Sequence, residues 1–238
     1  MTIEFLWAER PQPTRGPKPA LTAQQVADTG VALARAEGLA ALSMQRIAAE
    51  LGFTKMSLYR YVPGKAELVA LMVERAIGAP PAVPGTDWRA GLSAWASAML
   101  ERFVTHPWAL EATLGPRPIG PNELAWMEAA LSVLADSGLT AAERLDTVAV
   151  LAGHARMIAQ QAAVARHGAA APEGELLDAI GAVIGRHADR FPALAATLAE
   201  PAEGRNQAFT FGIDRILDGV GLLIAARRGD TPGAGGLP

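Results

Sequence analysis

The spacing of apolar residues constrains this chain most, because every convincing periodic segment follows the repeat of a helix. No segment alternates strictly between apolar and polar residues between hairpin turns, and the β-branched residues are too scattered to form strands. Apolar residues make up 50% of the 238 positions, which is enough material for a sizeable core. The pattern predicts an all-α protein.

Composition narrows the classes of function. The chain has no cysteine, which excludes a disulfide framework, thiol catalysis and a thiolate metal site. Residues 1–65 carry 8 Lys/Arg and 5 Asp/Glu, a balance of +3, and residues 66–238 carry 13 and 19, a balance of −6, within the overall −3. The whole chain is therefore not a polycationic binder, although its first part is basic. There is no signal-peptide pattern and no run of about 18 apolar residues, so we expect a cytoplasmic protein that does not engage a membrane.

A first domain, residues 21–78, is predicted to form four helices, over residues 22–37, 43–51, 54–62 and 65–77. Serine or threonine stands where the first three need an N-cap, and glycine stands where the first two stop. The prolines of residues 79–84 then prevent a further helix and mark a boundary between domains.

A second, larger helical domain is predicted over residues 86–228. Asp87 is a predicted N-cap, and Thr140 with Glu143 forms a predicted capping box at the start of a long helix. The two ends of the chain, 1–20 and 229–238, are rich in proline or glycine and are expected to be a flexible arm and a disordered tail. The predicted helices of the second domain begin at residue 88 and then cover about 123–136, 140–167 and 205–227.

The two short helices that flank Gly52 and Phe53 have the length and the tight turn of a helix-turn-helix. In this motif the second helix can enter the major groove of DNA. Its predicted exposed face is basic, hydroxyl-rich and aromatic, which suits contacts with base edges and phosphates. That face consists of Lys55, Ser57, Tyr59, Arg60 and Tyr61.

Residues 21–77, and within them SMQRIAAELGFTKMSLYRYVPGKAELVALM, resemble the DNA-binding domain of the TetR family of transcriptional regulators. The pairs Ile47-Ala48, Leu51-Gly52, Leu58-Tyr59 and Tyr61-Val62 occupy the family's motif positions, as does Lys65. The resemblance implies a three-helix DNA-binding domain, joined by a connecting helix to a larger ligand-binding and dimerisation domain. It implies a homodimer that binds palindromic double-stranded operator DNA, usually as a repressor. Binding of a small molecule then releases the dimer from the DNA. The residues implied at DNA are Ser43, Gln45, Thr54, Lys55, Met56, Ser57, Tyr59, Arg60, Tyr61 and Lys65, and Arg15 and Lys18 of the arm could also reach it.

The downstream region resembles the ligand-binding domain of the tetracycline-repressor branch of the family. In that branch a histidine that helps to coordinate drug-bound magnesium stands where this chain has Thr113. The difference predicts an organic, largely apolar effector, with no metal and no cofactor. The candidate cavity residues are Trp95, Met99, Phe103, Thr113, Trp126, Met127, His154, Met157 and Gln161.

Two other interpretations compete with a DNA-binding regulator. An enzyme is disfavoured because the chain lacks a phosphate-binding glycine loop on a strand, an HExxH motif and histidines with carboxylates at catalytic spacing. A helical ligand-binding module without operator binding remains open, although its recognition face should be degraded, and here that face is intact. The first choice for a dimer interface is Leu145, Val148, Ala152, Ile213, Ile216, Val220 and Leu223.

Overall fold

A computed structural model describes residues 4–7, 21–82, 87–166, 180–200 and 207–229, and every regular element in these ranges is helical. The predicted all-α fold is confirmed. In addition to a single 3₁₀ turn at Leu39–Ala41, the described helices are α1 (Glu4–Trp7), α2 (Ala23–Glu37), α3 (Met44–Glu50), α4 (Lys55–Leu58), α5 (Lys65–Ile77), α6 (Trp88–Thr105), α7 (Trp108–Ala112), α8 (Pro121–Val133), α9 (Ala141–Arg166), α10 (180–185), α11 (Pro192–Ala199) and α12 (Ala208–Arg228).

The caps predicted in the first domain are present. The Thr22 hydroxyl accepts from the Gln25 backbone N–H at 3.1 Å, while the Gln25 side chain accepts from the Thr22 N–H at 2.8 Å. Ser43 and Thr54 cap α3 and α4 in the same way, each accepting from a backbone N–H three residues on. Gly38 ends α2 at φ 83°, a conformation that favours glycine. These local bonds fix where each helix starts and stops.

Helix α4 is shorter than the range 54–62 predicted from the sequence. The α-helical part of α4 ends at Leu58, and the chain continues as a tighter turn in which the N–H groups of Arg60 and Tyr61 bond to carbonyls three residues back. The Val62 N–H closes the turn on the Leu58 carbonyl, just before Pro63. Pro63 disfavours the α conformation in Val62, the residue before it, so the turn does not continue further.

One apolar core runs from the first domain into the second. In the first domain α2 packs against α5, and Val26, Ile47, Leu58 and Met72 are fully buried. In the second domain α9 packs against both α6 and α12, and Trp95 is fully buried at the centre. Because α5 also packs against α6, α7 and α8, the two domains are joined by side-chain packing as well as by the chain.

The second domain differs from the prediction in two places. Helix α8 starts at Pro121, a residue suited to the first helical position, and not at about residue 123. It buries Trp126 and Ala130, while Met127 is 44% exposed. In the predicted dimer interface, Val148 and Ile213 are buried within the monomer core, because they lie between α9, α12 and α6.

The N-terminal segment also differs from the prediction. Residues 4–7 of the expected flexible arm form α1, and the Trp7 indole N–H donates to the Ile119 carbonyl at 3.3 Å. This hydrogen bond and the packing of α1 against α5 attach the segment to the rest of the fold. Arg15 and Lys18 lie outside the described residues, as does the tail after Gly229. No helix in the described part of the chain is long and apolar enough to cross a membrane.

Candidate nucleic-acid interface and effector cavity

The helix-turn-helix is assembled from α3 and α4 with Gly52 between them. Gly52 has φ 72°, and the Phe53 N–H bonds to the Ala48 carbonyl at 2.9 Å, so the chain reverses within a few residues. Ile47 and Leu58, both fully buried, anchor the two helices in the core. The opposite side of α4 is thereby turned to solvent.

That side of α4 and the exposed residues at the starts of α3 and α5 carry most of the predicted DNA contacts. We call them together the recognition face. Met56 is 75% exposed and Tyr59 is 39% exposed, and the Lys55 ammonium lies 6.0 Å from the centre of the Tyr59 ring. The lysine and the aromatic ring therefore form one continuous cationic and aromatic surface. The other exposed members are Ser43, Gln45, Thr54, Arg60 and Lys65.

Two predicted members of the face have other contacts. Ser57 is half-buried, and its hydroxyl lies 2.8 Å from that of Thr54 within the α4 cap. Tyr61 was predicted on the exposed face of the helix, but it is half-buried and packs against the domain core. The tight turn after Leu58 rotates Tyr61 toward the core. Beside the face, Arg46 forms an exposed ion pair with Glu50 at 3.2 Å.

The second domain contains a cavity of about 380 Å³, which we call the effector cavity. It lies where the end of α5 meets α6, α8 and α9, and it combines aromatic and thioether side chains with three arginines and one glutamate. Its lining is Ile77, Met99, Arg102, Phe103, Thr113, Arg117, Ile119, Glu123, Trp126, Met127, Ala152 and Arg156.

The charged groups of the cavity are not equivalent. Arg117 forms a two-pronged ion pair with Glu123 and also donates to the Ala112 carbonyl at 3.1 Å. Arg156 donates instead to the Thr113 hydroxyl at 2.7 Å and to the Leu110 carbonyl at 3.1 Å. Burial, and secondarily the nearby Arg117, lower the pKa of Arg156 because both disfavour its positive charge.

The predicted cavity residues divide into two groups. Met99, Phe103, Thr113, Trp126 and Met127 line the effector cavity. The other four, which are Trp95, His154, Met157 and Gln161, are not part of its lining.

Each of these four has another environment. Trp95 is buried behind the cavity wall, and its indole N–H donates to the Trp126 carbonyl at 2.8 Å. The His154 ring stacks on Phe209 at 5.8 Å between centres and is hydrogen-bonded to the Phe209 carbonyl, so it joins α9 to α12. Met157 and Gln161 lie on an exposed side of α9.

The arginines of the cavity were missed in the sequence. A signal was available at Arg156, which follows Ala152 by one helical turn and precedes the buried Ala159, and so places a charge on the inward side of α9.

A second, more open cavity of about 570 Å³ lies on the other side of the same arginine. Its lining is Pro107, Leu110, Glu111, Leu114, Arg156, Gln160, Ala163 and Val164.

A buried joint connects the cavity wall to the helix that leads to the recognition face. Both oxygens of Glu74, on α5, accept from the first N–H groups of α8, at 2.8 Å from Asn122 and 3.1 Å from Glu123. The indole N–H of Trp126, in the cavity wall, donates to the Gly78 carbonyl at the end of α5, at 3.0 Å. We call these contacts the α5–α8 joint.

The joint is tightly packed around its carboxylate. A Cβ placed on Gly120 would lie 2.3–2.5 Å from Glu74 atoms, so any other residue there would have to displace the Glu74 side chain. Burial raises the pKa of Glu74, while the two N–H donors oppose that rise. The Glu74 carboxylate of the first domain thus caps α8 of the second domain. No local sequence pattern predicts this contact.

The helix-turn-helix and the helical second domain define the class of protein, which is a helix-turn-helix regulator with a separate cavity-bearing domain. The family model for bacterial regulatory proteins of the tetR family matches residues 26–72, and that for the tetracyclin repressor-like C-terminal domain matches residues 80–224. The chain belongs to the TetR family of transcriptional regulators, as its sequence motifs indicated.

Individual relatives agree with this assignment. The chain is 38% identical to the HTH-type transcriptional repressor DrrR1 of Streptomyces coeruleorubidus, over 97% of this chain and 88% of the relative. It is 31% identical to an HTH-type transcriptional regulator of Saccharopolyspora erythraea, over 82% and 81%. Among solved structures, ActR of Streptomyces coelicolor in complex with actinorhodin matches with a TM-score of 0.72 and 25% identity, over 85% of this chain and 96% of that one.

Proposed function

We propose that the protein is a ligand-responsive repressor that binds a palindromic operator as a homodimer and leaves it when a small organic effector occupies the effector cavity. The α5–α8 joint is the observation that carries this proposal, because it links the cavity to the helix that leads to the recognition face. The repressor DrrR1 and the actinorhodin complex of ActR are similar proteins whose names describe repression and ligand binding.

DNA binding is assigned to the recognition face. Lys55 is the proposed reader of guanine O6 and N7, and its exposed position at the start of α4 supports this role. Ser43 and Thr54 keep their exposed positions at helix N-termini, which favours contacts with phosphates. Lys65, at the start of α5, adds a phosphate contact that does not depend on sequence.

The homodimer is assigned to the outer sides of α9 and α12. Val150 and Met157 on α9 are 53% and 47% exposed, and Phe211 and Leu222 on α12 are each 65% exposed. These residues fall on the sides of the two helices that face away from the monomer core. Two copies of this pair would form a four-helix bundle and hold the two recognition faces about one DNA turn apart.

Release is assigned to the α5–α8 joint. An effector in the cavity contacts Trp126, whose indole is bonded to the last turn of α5. Displacing Trp126 or α8 breaks hydrogen bonds to α5 and changes how that helix presents Lys65 and the recognition face. By linkage, effector and operator must weaken each other's binding by the same factor.

The test begins with selection of bound sequences from random duplex DNA by the ligand-free protein. We expect a palindromic site that binds two chains with a steep negative dependence on salt. Failure of the folded, dimeric protein to enrich any sequence would favour a ligand-binding module without an operator. With an operator in hand, an effector that binds free and operator-bound protein equally well would contradict the release mechanism.

A further inference from the structure

Arg156 is held in one place by the fold but has no anionic partner among the described residues. Its two terminal nitrogens donate to Thr113 and to the Leu110 carbonyl, and its guanidinium lies 5.0 Å from the centre of the Phe103 ring. None of the ion pairs between described residues includes it. A guanidinium has five N–H donors, so donors remain for a ligand.

The other charges around Arg156 favour an anion in the effector cavity. Glu123 is the only carboxylate in the described lining, and Arg117 already neutralises it. Arg102 adds a further positive charge to the same wall. In the neighbouring, more open cavity the lining carboxylate is Glu111, which has no ion pair among the described residues and would repel an anion.

The surfaces beside Arg156 suit a flat ring system. Phe103 and Trp126 contribute aromatic faces or edges, and Met99 and Met127 contribute adaptable thioethers. The volume of about 380 Å³ lies within the range of about 300–1,000 Å³ that small-molecule sites occupy. A half-buried cation next to aromatic walls has lost part of its hydration. Hydrogen bonds to a bound anion would compensate for that loss.

We propose that the effector cavity selects an aromatic acid, whose rings lie against Phe103 and Trp126 and whose carboxylate is bound by Arg156. This inference rests on the proposed function and replaces the expectation of a largely apolar effector with an amphiphilic one. Arg156 is then a specificity residue, and Thr113 orients it by accepting its hydrogen bond.

The test compares two probes of the same shape, naphthoate and its neutral amide, by calorimetric titration into the full-length dimer. We expect naphthoate to bind about tenfold or more tightly than the amide, because a hydrogen bond to a charged group contributes about 1.5–3 kcal/mol. In Arg156→Gln the ratio should fall to near one, with binding of the amide little changed. Arg156→Lys should keep part of the preference, since it keeps the charge.

Arg186→Gln is the matched control, because it removes an exposed arginine that does not line the effector cavity. It should retain the full preference for naphthoate. Equal affinities of the two probes, no naphthoate binding at millimolar concentration, or loss of the preference in Arg186→Gln as well would overturn the proposal. Equal weakening of both probes in Arg156→Gln would assign the arginine a structural role only.

Failure here is distinguishable from failure of the proposed function. Operator selection uses ligand-free protein and does not depend on the chemistry of the cavity. Charge-selective binding of naphthoate without any change in operator affinity would support the aromatic-acid site and contradict release through the α5–α8 joint.

Discussion

The recognition face and the effector cavity differ in how their residues relate to the fold. The face is formed by residues 43–65, and most of its functional side chains point into solvent. The cavity gathers residues from Ile77 to Arg156, and several of its walls, such as Phe103 and Trp126, belong to the hydrophobic core. Substitutions on the face should therefore change binding without changing stability, whereas substitutions in the cavity wall should change both.

The largest effect is expected for Trp126→Ala. Trp126 is 5% exposed, packs edge-on against Trp95 with 6.1 Å between ring centres, and bonds to Gly78. We expect a loss of about 3–5 kcal/mol in the free energy of unfolding, measured by urea denaturation. The neighbouring Met127→Ala is the control, because Met127 lines the same cavity at 44% exposure and should cost less than about 1 kcal/mol. Equal costs for the two variants would contradict the assignment of Trp126 to the hydrophobic core.

The next effect is expected for Gly120→Ala, which tests the α5–α8 joint without removing any hydrogen-bonding group. The backbone of Gly120, at φ −98° and ψ 176°, is accessible to alanine, so the cost is purely the clash with Glu74. We expect a loss of about 1–3 kcal/mol in the free energy of unfolding. Gly115→Ala should change it by less than about 0.5 kcal/mol, since nothing lies near that Cβ. A neutral Gly120→Ala would mean that the Glu74 cap yields easily.

The contrast between the two regions also explains what could be predicted. The helix starts at Thr22, Ser43 and Thr54 follow from side-chain bonds spanning three residues, which a sequence displays directly. The cavity depends on contacts between distant segments, such as Arg156 with Thr113. Aromatic residues at helical spacing indicated part of the lining, but core and cavity share that spacing, so Trp95 could not be separated from Trp126.

The charged part of the second domain was the least predictable. Glu74 caps a helix that begins 47 positions later at Pro121, and the cap depends on how α5 packs against α8. His154 was a candidate ligand contact from its position on the long helix, whereas tertiary packing directs its ring onto Phe209. In both cases the partner is set by the angle between helices, which the local pattern does not encode.

The third prediction concerns the recognition face. Lys55→Ala should weaken the selected operator by about 1–3 kcal/mol and relax its preference at one base step, while Lys65→Ala should weaken specific and random DNA alike. Binding isotherms on both kinds of DNA measure the difference. Neither variant should lower the free energy of unfolding by more than about 1 kcal/mol, because both side chains are exposed. Identical effects of the two variants on both DNAs would contradict their separate roles.

The smallest effect concerns the far end of the second domain, where Arg227 of α12 pairs with Glu143 at the start of α9. Arg227 and the Thr140 N–H lower the pKa of Glu143 to about 2 from its ordinary 4.5, because both favour the charged carboxylate. A lowered carboxyl pKa in the folded state gives stability that is complete above about pH 4.5 and is lost as the pH falls toward 2. Glu143→Gln should therefore flatten the fall of the melting temperature across that window and lower it only slightly at neutral pH. Glu101→Gln, at an exposed carboxyl of α6, should leave the fall of the melting temperature with pH unchanged. An equal flattening in that variant would show that the ion pair is not the cause.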